Sequence, residues 1–201
     1  MKKALLNGNS NEAKETIEIG APYSVEVELT GTCPILFHRW SCDDVKAKSE
    51  AAKNSKAKKT DNLEAYVYRN EKGEISIPGE YVRQSIIHAA KYKQDPRSPR
   101  KSAMDIFKAG VIVANELASL GTKDWDFIDK RRVVIQRNGV TRMRPAMLSG
   151  WKAKFQFEVI LPEYITPEFF QDVLVNAGRL VGVGDFHPTF GRFNVTKFEV
   201  I

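Results

Sequence analysis

The stretch GEISIPGEYVRQSIIHAA, residues 73–90, carries two hydrophobic periods in succession. Ile75 and Ile77 alternate with Glu74 and Ser76, the period of a strand. Beyond Pro78-Gly79 the residues Tyr81, Val82, Ile86, Ala89 and Ala90 recur at helical spacing and predict a helix to about Tyr92. Proline donates nothing to a ladder and suits the first position of a helix, so one period gives way to the other at Pro78. Pro96 and Pro99 close the helix.

Toward the N-terminus, the turn Asn70-Glu71-Lys72-Gly73 joins Ala65–Arg69 to Glu74–Ile77 as a hairpin. Tyr23, Val25, Val27 and Leu29 alternate with Ser24, Glu26, Glu28 and Thr30, a strand with one buried face, and residues 31–40 continue it in extended form. Toward the C-terminus a second helix is expected over Ser102–Leu120, with Ile106, Phe107, Val111, Val113, Ala114 and Leu117 inward and Gly121 as its stop. Arg131–Gln136 and Val140–Met143 read as strands joined by an Asn138-Gly139 turn. Trp151–Leu161 alternates again, and Thr166-Pro167 opens a helix with Phe169, Phe170, Val173, Leu174 and Ala177 as its inner stripe. A loop with Gly182, Gly184 and Gly191 leads to a last strand, Phe193–Val200.

This order predicts an α+β fold with a ferredoxin-like (RRM-like) βαββαβ core: an antiparallel sheet with helices on one face, a basic β-hairpin and a helical insertion. Residues 1–20 are polar and read as a flexible N-terminal arm, and 21–201 as a single domain. Between 43 and 61, Val45 is the one large apolar side chain among Lys46, Lys48, Lys53, Lys56, Lys58 and Lys59. That segment is expected to be either a solvated linker or frayed helix, or a mobile basic loop that orders on a polyanion.

With 201 residues, 42% hydrophobic and 28% charged, the chain can bury a sizeable core. Its longest apolar runs, such as Val111–Ala114, fall far short of the roughly 20 residues that span a bilayer, and Met1–Ser10 lacks the apolar stretch of a signal peptide. The expectation is a cytoplasmic protein with no membrane contact. Thirty-one Lys and Arg against 25 Asp and Glu give +6, which favours polyanions as partners. Two cysteines, Cys33 and Cys42, suit a reduced compartment.

Four features could hold a phosphate chain. A helix starting at Pro78-Gly79 points free N–H groups and a positive dipole end outward, with Arg83 and Gln84 on its first turns; an ordinary strand-to-helix turn is the plain alternative. Gly182, Gly184 and Gly191 permit close backbone approach, with His187 and Arg192 as donors, and because a strand follows, the loop is no dinucleotide fingerprint. Lys130, Arg131, Arg132, Arg137, Arg142, Arg144, Lys152 and Lys154 face only Asp129, as a phosphate clamp or as a solvated edge. Alternation puts Arg142 and Arg144 on one face and Met143 on the other, where it could wedge between bases. Lys91, Lys93, Arg97, Arg100 and Lys101 form a second basic cluster, and Tyr92, Trp125 and Phe127 could stack bases, whereas Trp151 alternates inward. His38, His88 and His187 are scattered, with no base or nucleophile at a diagnostic spacing. Cys33, His38 and Cys42 match no zinc finger, so no metal and no cofactor are expected.

Residues 73–86 resemble the strand, Ile-Pro-Gly, helix motif of the RAMP superfamily, the ferredoxin-like proteins of CRISPR RNA effector complexes. Gly182-Val183-Gly184-Asp185-Phe186-His187-Pro188-Thr189-Phe190-Gly191-Arg192-Phe193 resembles that superfamily's glycine-rich loop. The likeness covers these motifs and the element order, and is greatest to the backbone subunits that coat a guide RNA. The chain departs from the pattern in having Glu80 and only Arg83 after Pro-Gly. The resemblance implies RNA as the preferred strand, copies of this chain and other subunits as partners, and a projecting hairpin akin to the thumb that interrupts base pairing. Some relatives are metal-independent endoribonucleases using a histidine, which makes His38 a candidate, and Asp43 and Asp44 stand where one class of backbone subunits keeps a target-cleaving aspartate.

The expected function is sequence-independent binding of single-stranded nucleic acid through its phosphates, by Arg83, Gln84, Arg131, Arg132, Arg137, Arg142, Arg144, Lys152, Gly182, Gly184, His187 and Arg192. The alternatives are a single-stranded DNA-binding or annealing protein of a phage or mobile element, and an endoribonuclease working through His38.

Overall fold

The computed structural model describes residues 20–52, 62–135 and 138–201. From its N-terminal end the chain forms β1 (Tyr23–Gly31), β2 (Ile35–Leu36), α1 (Cys42–Glu50), β3 (Tyr68–Arg69), β4 (Ile75–Pro78) and α2 (Gly79–Ala90). It continues through β5 (Gln94–Asp95), β6 (Ser98–Ser102), α3 (Met104–Gly110), β7 (Val111–Val113) and β8 (Leu117–Ser119). The last third holds β9 (Phe127–Ile135), β10 (Asn138–Met147), β11 (Lys152–Val159), α4 (Pro167–Asn176) and β12 (Phe193–Val200).

Alternation builds the main sheet, an antiparallel layer in the order β12-β1-β11-β7. Val25, Val27 and Leu29 lie opposite Phe157, Phe155 and Ala153, all buried. On the other face Glu28 pairs with Lys154, and Lys152 and Lys154 flank its carboxylate at 4.0 and 3.7 Å. One face is apolar and one charged, and α2, α3 and α4 pack into the apolar core through Val82, Ile86, Phe107, Phe170 and Leu174. The chain is therefore α+β with antiparallel sheets. Phe170 joins the layers: its ring lies 6.2 Å from Phe107, 5.6 Å from Phe157 and 6.0 Å from Phe198. Thr166 caps α4, its Oγ1 accepting from the Phe169 N–H at 3.3 Å, with Pro167 next, as the sequence predicts.

Smaller sheets, β2-β10-β9, β3-β4-β8 and the hairpin β5-β6, surround this core. At the step from β4 to α2, the chain after β7 crosses so closely that a Cβ on Gly79 would lie 2.2 Å from the Asn115 carbonyl oxygen. Only glycine lets the two backbones meet there. Among the described residues no helix is long and apolar enough to cross a membrane.

Two expectations differ from the structure. The helix expected over Ser102–Leu120 ends at Gly110, and Val111–Val113 pair with Val159–Phe157 at the sheet edge. β-Branched residues tolerate either state, and the open edge of β11 decides for the strand. The Asn138-Gly139 turn is part of β10, since Asn138 pairs with Ile135 and Gly139 with Val134. Residues 136 and 137 lie outside the described residues. Of the segment expected at 43–61 as a solvated linker, frayed helix or mobile loop, residues 43–50 belong to helix α1; residues 53–61 lie outside the described residues, as does the arm except for Gly20.

Because Phe170 touches an aromatic ring on each of α3, β11 and β12, Phe170→Ala should lower stability by about 3–5 kcal/mol. In urea unfolding the midpoint should fall with its slope unchanged.

Candidate nucleic-acid interface

After α4 the chain makes one π-helical turn, Ala177–Val181, and enters the glycine-rich loop. Gly191 is in the left-handed region at φ 72°, and a Cβ on it would fall 1.7 Å from the Val183 carbonyl oxygen. The Val183 N–H donates to the Gly191 carbonyl (2.9 Å), the Gly191 N–H to Pro34 (2.8 Å) and the Asp185 N–H to Leu36 (2.9 Å). These bonds lace the loop onto the segment joining β1 to β2.

The loop, α2 and the chain leaving β2 enclose a cleft of about 290 Å³ lined by His38, Tyr81, Gln84, Ser85, His88, Gly182, Gly184, Asp185 and His187. All three histidines of the protein line it. Scattered in sequence, they converge because the fold brings the exit of β2, the last turn of α2 and the glycine-rich loop to one place. Asp185 anchors the wall: its carboxylate accepts from Arg144 Nε and lies 3.7 Å from His38 Nδ1. Burial, and then the Tyr68 hydroxyl 3.4 Å away, push the Tyr81 phenol well above its ordinary value, so Tyr81 presents a neutral hydroxyl.

Beside the cleft, one face of the β9–β10 ribbon packs on the loop. Arg144 is only 5% exposed, and its Nη1 is buried with no hydrogen-bond partner. Arg131 makes a two-point pair with Asp129 at 2.6 and 2.5 Å, and its guanidinium lies 5.0 and 4.6 Å from the Phe186 and Phe190 ring centres. The hydrogen bond to Asp129 raises Arg131 above the ordinary arginine range. These two arginines, read from sequence as a phosphate clamp, brace the loop.

Of the other candidates, Gln84 reaches the cleft and holds Glu80 at 2.6 Å. Arg83 points elsewhere, donating to the Val111 and Lys108 carbonyls at 2.7 Å each and to Glu80 at 3.1 Å. The α2 N-terminus is covered, for the Gly79 N–H donates to the Glu116 carbonyl at 3.0 Å. Arg142 pairs opposite Arg131, Arg132 is exposed, and Arg137 lies outside the described residues. Lys152 is on the charged face of the main sheet, and Arg192 Nε donates to the Pro188 carbonyl at 2.8 Å. Asp43 and Asp44 fall within α1, and Trp151 is buried. Sequence reasoning passed over Tyr81, Ser85 and His88 as site residues; the signal was there, since His88 follows Gln84 by one helical turn. No group of three or more His, Cys, Asp or Glu side chains among the described residues is placed to hold a metal ion.

No family model matches the chain, and no curated protein matches it. Among solved structures, the chain is similar to one in the cryo-EM structure of the Type III-B Cmr-beta bound to cognate target RNA, with a TM-score of 0.53 and 13% identity. The match covers 90% of this chain and 61% of the length of that one. At this identity the likeness is one of fold.

Asp185→Ala would leave the buried Arg144 guanidinium without its carboxylate. The expected loss, about 2–4 kcal/mol by urea unfolding, is that of breaking a largely buried pair. Lys152→Ala, at an exposed pair, should change stability by less than about 0.5 kcal/mol. Equal midpoints for the two variants would mean that Asp185 does not tie loop to ribbon.

Proposed function

We propose that the protein binds single-stranded nucleic acid, RNA before DNA and without reading its sequence, as a RAMP-type subunit of a CRISPR-type ribonucleoprotein. The observation that carries this reading is the cleft, where His38, Gln84, Gly182, Gly184 and His187, taken from separate motifs, line one surface. Imidazole, amide, hydroxyl and backbone groups suit phosphate oxygens and ribose hydroxyls. The fold likeness to a chain of an RNA-bound Type III-B Cmr-beta supports RNA and other subunits as partners.

A ferredoxin-like core is part of the reading. β1, β7, β11 and β12 stand as the first to fourth strands of a βαββαβ unit ordered 4-1-3-2, with α2 and α3 between the first two and α4 between the last two. The β9–β10 ribbon, whose β9 spans about 30 Å, lies between β7 and β11 in chain order and is the proposed thumb. Arg142, opposite Arg131 on the face toward the loop, extends the phosphate-binding surface, while Lys130 and Arg132 are exposed on the other face of the ribbon.

Fluorescence anisotropy of labelled 12-nucleotide RNAs tests the reading. If about four phosphates are neutralised, log K should fall against log salt with a slope of about −3. His38→Ala with His187→Ala should weaken all sequences alike, by tenfold or more, at an unchanged melting temperature. Binding that ignores salt, or a strong preference between RNAs of equal length, would overturn it.

One observation favours a second reading, a metal-independent endoribonuclease: the three histidines share the cleft with Ser85 and Tyr81. One imidazole would take the proton of a ribose 2′-hydroxyl as that oxygen attacks phosphorus, and another would protonate the departing 5′-oxygen, leaving a 2′,3′-cyclic phosphate. Structured RNA in EDTA should then yield cyclic-phosphate ends, and His38→Ala should cut about 100-fold more slowly or worse. RNA intact after long incubation removes this reading.

A further inference from the structure

The exposed positions of α2 form one stripe. Leaving the cleft, Glu80, Tyr81, Gln84 and His88 are exposed at helical spacing, the Glu80 carboxylate held by Arg83 and Gln84, and the same spacing carries the stripe past the helix end to Lys91 and Tyr92, both exposed. The opposite face, with Val82, Ile86, Ala89 and Ala90, is buried. Tyr92 is 55% exposed, and Lys91 Nζ sits 4.8 Å from its ring centre.

The β5–β6 hairpin follows at once, and residues 91–101 hold five cationic side chains against one carboxylate, Asp95. That carboxylate is committed: Arg97 grips it at 2.8 and 3.0 Å and holds it ionised below the usual aspartate range. Lys93 is bonded to Asp172. Lys91, Arg100 and Lys101 are exposed with no ion-pair partner among the described residues. A cation at the C-terminal end of a helix complements the dipole, which accounts for Lys91. It does not account for an exposed tyrosine or for Arg100 and Lys101, which stand on the next hairpin.

We infer that Lys91, Tyr92, Arg100 and Lys101 form a second binding site for single-stranded nucleic acid, continuous with the histidine cleft along α2. The inference rests on the nucleic-acid reading above and extends it to a surface that the sequence motifs of the cleft do not include. Tyrosine offers a face on which any base can stack, and the three cations take the neighbouring phosphates. Tyr81 and His88 stand about 10 Å apart along the helix axis, and Tyr92 lies beyond the helix end, a span a single nucleotide does not bridge and a strand of several does. The platform thus selects for a polymer over a free nucleotide.

The two contributions separate experimentally. Against a labelled 12-nucleotide oligouridylate, Lys91→Ala/Arg100→Ala/Lys101→Ala should bind at least tenfold more weakly, and its salt slope should be shallower by about 2, three charges at about 0.7 each. Tyr92→Ala should weaken binding about tenfold at an unchanged slope, because it removes stacking and no charge. These side chains are exposed, so melting temperatures should stay near that of the parent; should the triple variant melt early, Arg100→Glu/Lys101→Glu, which leaves α2 untouched, is read instead. If these variants bind as the parent does while His38→Ala/His187→Ala fails to bind, the platform is no site and the cleft reading stands. If the parent chain shows no salt-sensitive binding, the nucleic-acid reading fails and takes this inference with it.

Discussion

The Asp185 carboxylate is the point at which three parts of the chain meet. Its residue's N–H joins the loop to Leu36, and its side chain takes Arg144 from the ribbon and faces His38 from the exit of β2. The cost of desolvating Arg144 makes such a pair a weak source of net stability. Its value is placement, because a buried guanidinium that finds its carboxylate in only one register fixes how the ribbon sits on the loop. Phe186 supports the same contact: it is held at φ 61°, an uncommon conformation for a bulky residue. The Arg131 and Arg144 guanidiniums, 5.0 and 5.5 Å from its ring centre, offset that strain by cation–π attraction.

What could be read in the sequence is what local physics decides. The alternation of 23–30, 152–159 and 193–200 survives as strands because each has one face against helices and one toward water. The Thr166-Pro167 cap and the Pro78-Gly79 step are local chemistry and appear where the residues put them. Val111-Ile112-Val113 could not be settled locally, since three β-branched residues satisfy a helical face as well as an edge strand, and the unpaired edge of β11 lies more than forty residues away in sequence. Charge counting failed at Arg131 and Arg144 for a related reason. A run of cations does not reveal which of them already hold a carboxylate, and Arg144 finds its partner 41 residues downstream. Of the histidine cleft only the Gln84–His88 spacing was legible, because the convergence of the three histidines exists only once the fold closes.

Those pairings change the meaning of the net charge of +6. The ribbon spends Arg131 and Arg144 on Asp129 and Asp185, while Lys152 and Lys154 face Glu28 across the main sheet. The cleft, by contrast, is lined mainly by imidazole, amide, hydroxyl and backbone groups around a single carboxylate and holds no lysine or arginine. On the proposed reading, long-range attraction and contact geometry therefore come from different places: exposed cations at the ribbon and beyond α2 draw the polyanion in, and the cleft positions it. A volume of about 290 Å³ lies at the small end for an enclosed organic ligand, whereas a strand needs only a place to rest successive sugars and phosphates. On the same proposed reading, the polar cleft and the helical stripe leading out of it, toward cations with no ion-pair partner among the described residues, form a section of track, and a track gains affinity with each nucleotide it carries.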